Sequence, residues 1–493
     1  AGRRFTHPDR LSPAVGNVDR PVAERESSTE GGVVSSPRAI SAGCGRTSGV
    51  NGTSSEGGSG PRSSMEWLPQ FLFRGPYFLK SLTAISLGRM LKTPICSWNN
   101  YLRKVSVHGG KSISTKIVLG IETSCDDTGA AVVDETGSIL GEALHSQTDV
   151  HLKTGGIIPP VAQQLHQENI ARVVQHAVSS SGVSMEDISA VATTVMPGLA
   201  LSLGIGLKYS LELVKKYQKP FIPIHHMEAH ALTVRLTDHV PFPFLVLLLS
   251  GGHCILAVAQ GVSDFLLLGQ TKDIAPGDML DKVARRLSLH NHPECSGMTG
   301  GRAIEILAQQ GNIVRYKFTV PMQQYRDCTF SFSGLQSGIT RKISKEEKAE
   351  GLQEGQHLSC LPDLAAAALY TMTVHIAERT HRAILFCKEK GIIPPGKETL
   401  VVSGGVASNQ YVRRSLQLLA DATNFTLVCP PPRLCTDNGV MIAWNGIEKL
   451  SAGLDIFYNV EHFRYEPKAP LGTNISEQVK EAFIKVPALN LAV

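Results

Sequence analysis

Residues 116–144 read KIVLGIETSCDDTGAAVVDETGSILGEAL. Two apolar, β-rich runs flank the polar turn ETSCDDTG and a third follows DETG, the pattern of a β-meander. A second unit, FPFLVLLLSGGHCILAVAQ at 242–260, again sets two apolar strands around a Gly-containing polar turn. Helical periodicity follows the first unit at about 160–181 and 201–217, where Gly204 and Gly206 weaken the pattern, and follows the second at about 278–290 and 300–310. After the polar stretch FSFSGLQSG, a long helix is expected from the cap Asp363 to the C-cap Gly391. The strand–turn–helix unit TLVVSGGVASNQYVRRSLQLL and the strand FTLVCPPP then lead into LCTDNGVMIAWNGIEKL. Two similar hairpin units in one α/β chain imply a duplicated fold with a cleft between its lobes. The expected division is a first lobe over 116–241, a second over 242–455 and an extension over 456–493.

The chain has 493 residues, enough for two or three domains with buried cores. No apolar run approaches the ~20 residues of a membrane helix, so a soluble protein without membrane insertion is expected. Ten cysteines are scattered without C-x-x-C pairs, which points to free thiols in a reducing compartment. The formal net charge of +5 misleads: residues 1–116 hold 16 Lys+Arg against 7 Asp+Glu, leaving 32 against 36 beyond. Bulk charge therefore does not advertise a nucleic-acid binder, and any such partner must meet a local patch.

Residues 1–64 are rich in Ser, Gly, Pro and Arg and are expected to be disordered, because they cannot bury enough apolar surface to fold. With no initial Met but Met65 and Met90 available, the same segment reads as translated upstream sequence without a role in the protein. Trp67 to Ile121 contains no acidic residue, while Arg74, Lys80, Arg89, Lys92, Arg103, Lys104, Lys111 and Lys116 punctuate Leu, Phe, Ser and Thr. That composition matches a mitochondrial transit peptide, expected over 65–115; a disordered basic linker is the alternative.

In IPIHHMEAHALTVRL (222–236), His226 and His230 stand four residues apart and so share one helix face. A metalloprotease helix needs Glu directly after the first His, but Met227 stands there, and Glu228 falls about 200° around the helix. Asp437, in the T-D-N-G turn, is a candidate third ligand. Two His and one carboxylate with open positions suit one divalent ion, Zn²⁺ or Fe²⁺. The alternatives are hydrogen-bonded histidines without a metal, and Asp437 as a helix N-cap.

LLLSGGHC and VVSGGVASN each place Ser-Gly-Gly directly after an apolar strand, where backbone N–H groups can approach an anion. With ETSCDDTG they suggest a phosphate-cradling cleft that is neither a P-loop nor a Rossmann site. Asp281 and Glu305, on helices near Gly-rich turns, are candidates to accept from ribose hydroxyls, or else belong to solvated helix faces.

Taken in order, GIETSCDDT, PIHHMEAH, LLLSGGH, GDMLDKVARRL, FSFSGLQ, SGGVASN and CTDNG resemble the tRNA threonylcarbamoyladenosine transferases, also known as O-sialoglycoprotein endopeptidase-like proteins. The resemblance runs from about Lys116 to about Leu450. It implies an actin/Hsp70/sugar-kinase-like fold, two ribonuclease-H-like lobes with a nucleotide and metal cleft between them. It further implies transfer of a threonylcarbamoyl group from threonylcarbamoyl-AMP, made by a separate synthase, to N6 of the adenosine 3′ of the anticodon in tRNAs reading ANN codons. By motif position, His226, His230 and Asp437 correspond to the metal ligands. Leu249, Ser250, Gly251, Gly252 and His253 correspond to the adenylate-lining segment, and Asp281, Gly301, Glu305, Ser408 and Asn409 to the ribose and adenine contacts. Glu122, in the first hairpin turn, is the candidate proton acceptor, with turn hydrogen bonding as its other role. A homodimer in the mitochondrial matrix is expected.

The chain departs from the family pattern at Pro160 and Gln164 in PPVAQQLH, which replace an acidic and a basic residue while His166 stays, and at Met196 and Thr329. The local tRNA patch is sought near Lys282, Arg285 and Arg286, or at Arg413 and Arg414. Two other classes remain open: a metalloprotease acting on glycoproteins, and a non-catalytic ATP-binding or kinase module of the same fold.

Overall fold

The computed structural model describes residues 115–353 and 356–491. The expectations for 1–64 and the transit segment to 114 lie outside the described residues.

Each half of the fold begins as a meander because consecutive apolar residues in β1 (Ile117–Glu122), β2 (Asp127–Asp134) and β3 (Ile139–Ser146) are separated by turns too polar to bury. With β4 (Ala190–Met196) and β5 (Phe221–His225) these form a five-stranded sheet in the order β3-β2-β1-β4-β5. β2 is antiparallel to β1 and β3, whereas β1, β4 and β5 run parallel. β6 (Phe244–Leu249), β7 (Cys254–Ala259), β8 (Phe265–Gln270), β9 (Thr399–Ser403) and β10 (Thr426–Val428) repeat the plan. The short β11 (Thr473–Asn474) is added beyond β8, giving the order β10-β9-β6-β7-β8-β11. A three-stranded meander extended by two parallel strands, used twice, is the actin/Hsp70/sugar-kinase-like architecture expected from the sequence.

Helices cover both faces, so the central strands are buried throughout. Pro159–Ser181 and Ala200–Tyr217 pack on the first sheet through Ile170, Val173, Val174 and Leu207. Gly439–Ala452 lies on its opposite face, close enough that a Cβ on Gly120 would fall 2.2 Å from the Ala443 nitrogen. Only glycine allows that approach, and it fixes where the preceding T-D-N-G turn sits. This helix falls within the span expected for the second lobe yet packs on the first, because its apolar residues complete the face formed by Val118, Ala190 and Ala192. The extension serves both sheets: Phe457 bridges to Phe221 at the first, and β11 pairs with β8 at the second.

The long helix spans Leu361–Glu389, with Gly391 just beyond at φ +65°. Asp363 is not its cap; its carboxylate accepts from Asn312 N–H at 2.7 Å and pairs with Arg315 at 2.6 Å. The helix expected at 278–290 is Pro276–Arg286 followed, after Ser288 at φ +55°, by a single 3₁₀ turn at Leu289–Asn291. Among the described residues no helix is long and apolar enough to cross a membrane, and all eight described cysteines are free.

Candidate metal and nucleotide site

β5 runs directly into the helix His226–Leu232, and His225 caps the junction: its Nδ1 accepts from Met227 N–H at 3.2 Å. Burial pushes His225 down to about 4, so the imidazole is neutral and can accept. One residue on, His226 turns its ring toward the end of β1. Its Nδ1 lies 3.2 Å from Glu122 Oε2 and 3.1 Å from Ser124 Oγ, and its Nε2 lies 3.5 Å from Asp437 Oδ1. His230 Nε2 lies 3.0 Å from the same Asp437 oxygen. The two rings meet edge to face, with centroids 4.6 Å apart.

Asp437 is not the helix N-cap. Asn438 is, with its Oδ1 accepting from Met441 N–H at 2.9 Å, and this leaves the Asp437 carboxylate free to face the histidines.

One ligand atom from each of His226, His230 and Asp437 lies within 4.8 Å of the others. The electrostatics favour positive charge there. Burial by itself would depress His226, yet Asp437 and Glu122 on either side of the ring raise it to about 10. Burial would raise Asp437, but the two imidazoles hold it well below the usual carboxylate range. A divalent ion satisfies the same demand, and the donor set fits one. His226 offers Nε2 inward while Glu122 holds Nδ1, the carboxylate–histidine arrangement that orients a metal ligand. His230 Nδ1 is buried without a hydrogen-bond partner among the described residues.

Glu122 is fully buried and closes β1 rather than lying in the turn. Its carboxylate takes Ser124 N–H, the Thr194 hydroxyl at 2.5 Å and the His226 ring. Burial opposes its charge, but His226 outweighs that and lowers its pKa. So placed, the carboxylate contacts His226 rather than lying in the open hairpin turn. Ser124, Thr194 and His225 escape sequence reasoning as site residues; only Ser124, in the ETSC turn, carried a signal.

The two Ser-Gly-Gly turns sit side by side, because β6 and β9 are parallel neighbours with Leu248 opposite Ser403. Gly404 has φ +96°, and a Cβ there would lie 2.4 Å from the Leu249 carbonyl oxygen. Ser250 Oγ accepts from Gly252 N–H at 3.3 Å and His253 N–H at 2.9 Å, while Gly251 and Gly252 face open space. His253 is pushed down to about 4, by burial first and then by His226 and His230, so the first turn adjoins the histidine pair.

The expected ribose and adenine residues form a connected group. Asp281 Oδ1 accepts from Gly301 N–H at 3.1 Å. Glu305 is buried rather than on a solvated face; it accepts from Gln410 N–H at 2.7 Å and pairs with Arg302 at 2.7 Å. Asn409 caps the helix Gln410–Thr423 through Val412 N–H, and the Ser408 hydroxyl donates to the Gly405 carbonyl at 2.6 Å. His166 stays as a buried brace, its ring nitrogens 2.7 Å from the Thr128 hydroxyl and 3.0 Å from the Cys125 carbonyl oxygen.

Much of the basic patch sought for tRNA is engaged. Lys282 pairs with Asp278, Arg286 with Glu347, and Arg413 donates to the Ala407 and Pro430 carbonyls. Arg285 and Arg414 remain exposed.

A duplicated sheet with paired glycine turns and a grouping of two His and one Asp defines a protein of the actin/Hsp70/sugar-kinase-like fold with a candidate metal site. The profile of the tRNA N6-adenosine threonylcarbamoyltransferase family matches residues 138–444. Mitochondrial tRNA N6-adenosine threonylcarbamoyltransferase of Mus musculus is 63% identical over 405 residues, covering 82% of this chain and 98% of the relative. The Homo sapiens protein of that name is 64% identical over 393 residues, 80% of this chain and 95% of the relative. A tRNA N6-adenosine threonylcarbamoyltransferase of the bacterium Paramagnetospirillum magneticum is 39% identical over 337 residues, 68% of this chain and 92% of the relative. The chain belongs to the tRNA N6-adenosine threonylcarbamoyltransferase family.

Proposed function

We propose that the chain transfers the threonylcarbamoyl group of threonylcarbamoyl-AMP to N6 of the adenosine 3′ of the anticodon in mitochondrial tRNAs that read ANN codons. The observation that carries this reading is the convergence of His226, His230 and Asp437 beside the first Ser-Gly-Gly turn. Relatives named as mitochondrial enzymes support a place in the mitochondrial matrix.

Threonylcarbamoyl-AMP is a mixed anhydride and brings its own leaving group, so the chain has to orient reactants and stabilise charge rather than supply a nucleophile. Gly251 and the turn at Gly404 present backbone to the adenylate phosphate, and Asp281, Gly301, Glu305, Ser408 and Asn409 shape the nucleoside end. His226, His230 and Asp437 would hold one divalent ion, Zn²⁺ or Fe²⁺, which when bound supplies Lewis-acid charge to the threonylcarbamoyl oxygens. Glu122 serves through His226, whose ring it orients. Next to His226, where a metalloprotease needs a carboxylate to activate water, Met227 is apolar and buried.

The adenylate comes from a separate synthase. The working unit is a homodimer, and the exposed Leu144, Leu152, Ile157, Ile158 and Leu201 of the first lobe are surface that such a dimer would cover.

The test incubates the purified chain with threonylcarbamoyl-AMP and an ANN-decoding tRNA and analyses nucleosides by mass spectrometry. Threonylcarbamoyladenosine formed by the wild type and lost in His226→Ala is expected; no product from the metal-loaded wild type would overturn the reading.

A further inference from the structure

The helix that carries His226 and His230 has a second face, turned away from the ligand atoms. Glu228 lies there, buried, with its Oε2 3.2 Å from Lys449 Nζ. Lys449 is only 4% exposed, and its ammonium also donates to the Pro223 carbonyl at 3.3 Å and to Asp455 Oδ2 at 2.8 Å. One cation thus grips the strand end just before His226 and the helical turn just after it. Beside it, Glu448 takes Arg235 at 2.7 and 3.3 Å, a second tie between the same two segments. Lys449 and Glu448 belong to the helix Gly439–Ala452, which starts two residues after Asp437. The ion pair therefore joins the segment bearing two ligands to the segment bearing the third, whose Asp437 lies 207 positions beyond His230.

A buried Lys–Glu pair adds little stability over an apolar pair of the same volume, because desolvation offsets the attraction. What it does fix is register. Ring atoms project about 6 Å from a helix axis, so a rotation of about 20° moves a ligand nitrogen by about 2 Å. Metal coordination tolerates departures of only about 0.2 Å. The His226–Leu232 helix is seven residues long and buried throughout, with Met227, Ala231 and Leu232 in one apolar cluster and Ala229 in another, and Glu228–Lys449 is the charged tie that keys this packing to the Asp437 segment.

We propose that Glu228 and Lys449 are positioning residues, which set the rotation of the histidine helix against the Asp437 turn and so the spacing of the three ligand atoms. The proposal rests on the metal reading of His226, His230 and Asp437.

The test titrates Zn²⁺ into the full chain against a chromophoric chelator and records the visible spectrum of the Co²⁺-loaded protein alongside thermal unfolding. The variants are Glu228→Gln, Lys449→Met and the apolar pair Glu228→Leu with Lys449→Met. Each single change should weaken Zn²⁺ binding by about tenfold or more and alter the Co²⁺ bands. The apolar pair should regain the unfolding temperature of the wild type without regaining its Zn²⁺ affinity or Co²⁺ spectrum. Wild-type affinity and spectrum in the pair, or in singles that have lost stability, would overturn the proposal and leave the two residues as packing. Should the pair fail to fold, Glu228→Gln, a near-isostere, decides alone. A wild type whose Zn²⁺ binding ignores His226→Ala would instead overturn the metal reading itself.

Discussion

Glu122 and His226 stand 104 positions apart, yet Oε2 of one lies 3.2 Å from Nδ1 of the other, in a buried contact at the end of β1. This contact settles which ring nitrogen of His226 is left to face Asp437. It also predicts that Glu122→Gln, which keeps the shape and loses the charge, weakens Zn²⁺ binding roughly 10–100-fold. Chelator competition on the folded variant checks this; unchanged affinity would mean that Ser124 alone orients the ring.

Asp437 and Asn438 should separate cleanly. Asp437→Ala removes a ligand but no helix cap, so transfer should fall at least about 100-fold, and any loss of apo stability comes from its contacts with His226 and His230. Asn438→Ala removes the cap on Met441 N–H and should cost about 1 kcal/mol in urea unfolding. Transfer lost in Asp437→Ala but retained in folded Asn438→Ala is the expected separation, and equal loss of transfer in both would overturn it.

The glycines of the two turns are not equivalent. Gly404→Ala places a Cβ against the Leu249 carbonyl at φ +96° and should destabilise the chain by about 1–3 kcal/mol. Gly251→Ala meets nothing within 4 Å, so the fold should tolerate it while KM for threonylcarbamoyl-AMP rises. Urea titrations and initial rates on both variants test the contrast.

His375 supplies a pH-dependent term remote from the metal residues. It is fully buried between Phe330 and Phe332 and accepts from Ser331 N–H at 3.2 Å, and burial first, then Arg379, push it down to about 3. Because the folded value lies below the unfolded one, its stabilisation is complete above about pH 6.5 and is lost as pH falls toward 3. By pH 5 the loss amounts to about 2 kcal/mol. His375→Gln should remove that part of the acid dependence, seen as a smaller drop in unfolding free energy between pH 7.5 and pH 5 (both about) than in the wild type.

The meanders, the long helix and the pairing of His226 with His230 were legible because each is a local pattern. Short continuous apolar runs around polar turns give hairpins, and a spacing of four gives a shared helix face. Asp363 shows the limit of such reading: its type and position suit a cap, but Asn312 and Arg315, distant in sequence, claim the carboxylate. Glu305 shows the converse: singled out as a ribose contact with a solvated helix face as its alternative, it is buried and accepts from Gln410 N–H, a partner 105 positions away.

The sequence by itself determined the repeated β units, the identity of the candidate ligands and the absence of a protease base beside His226. Tertiary structure alone decided that Asn438 rather than Asp437 caps its helix, that the Glu122 carboxylate meets the His226 ring, and that Gly439–Ala452 returns to the first sheet. The Asn438 cap is local but only the folded turn selects it over Asp437; for the other two the physical reason is shared. Hydrogen-bond partners and close backbone approaches are contributed by segments up to hundreds of residues away, and only packing such as Gly120 against Ala443 brings them within reach.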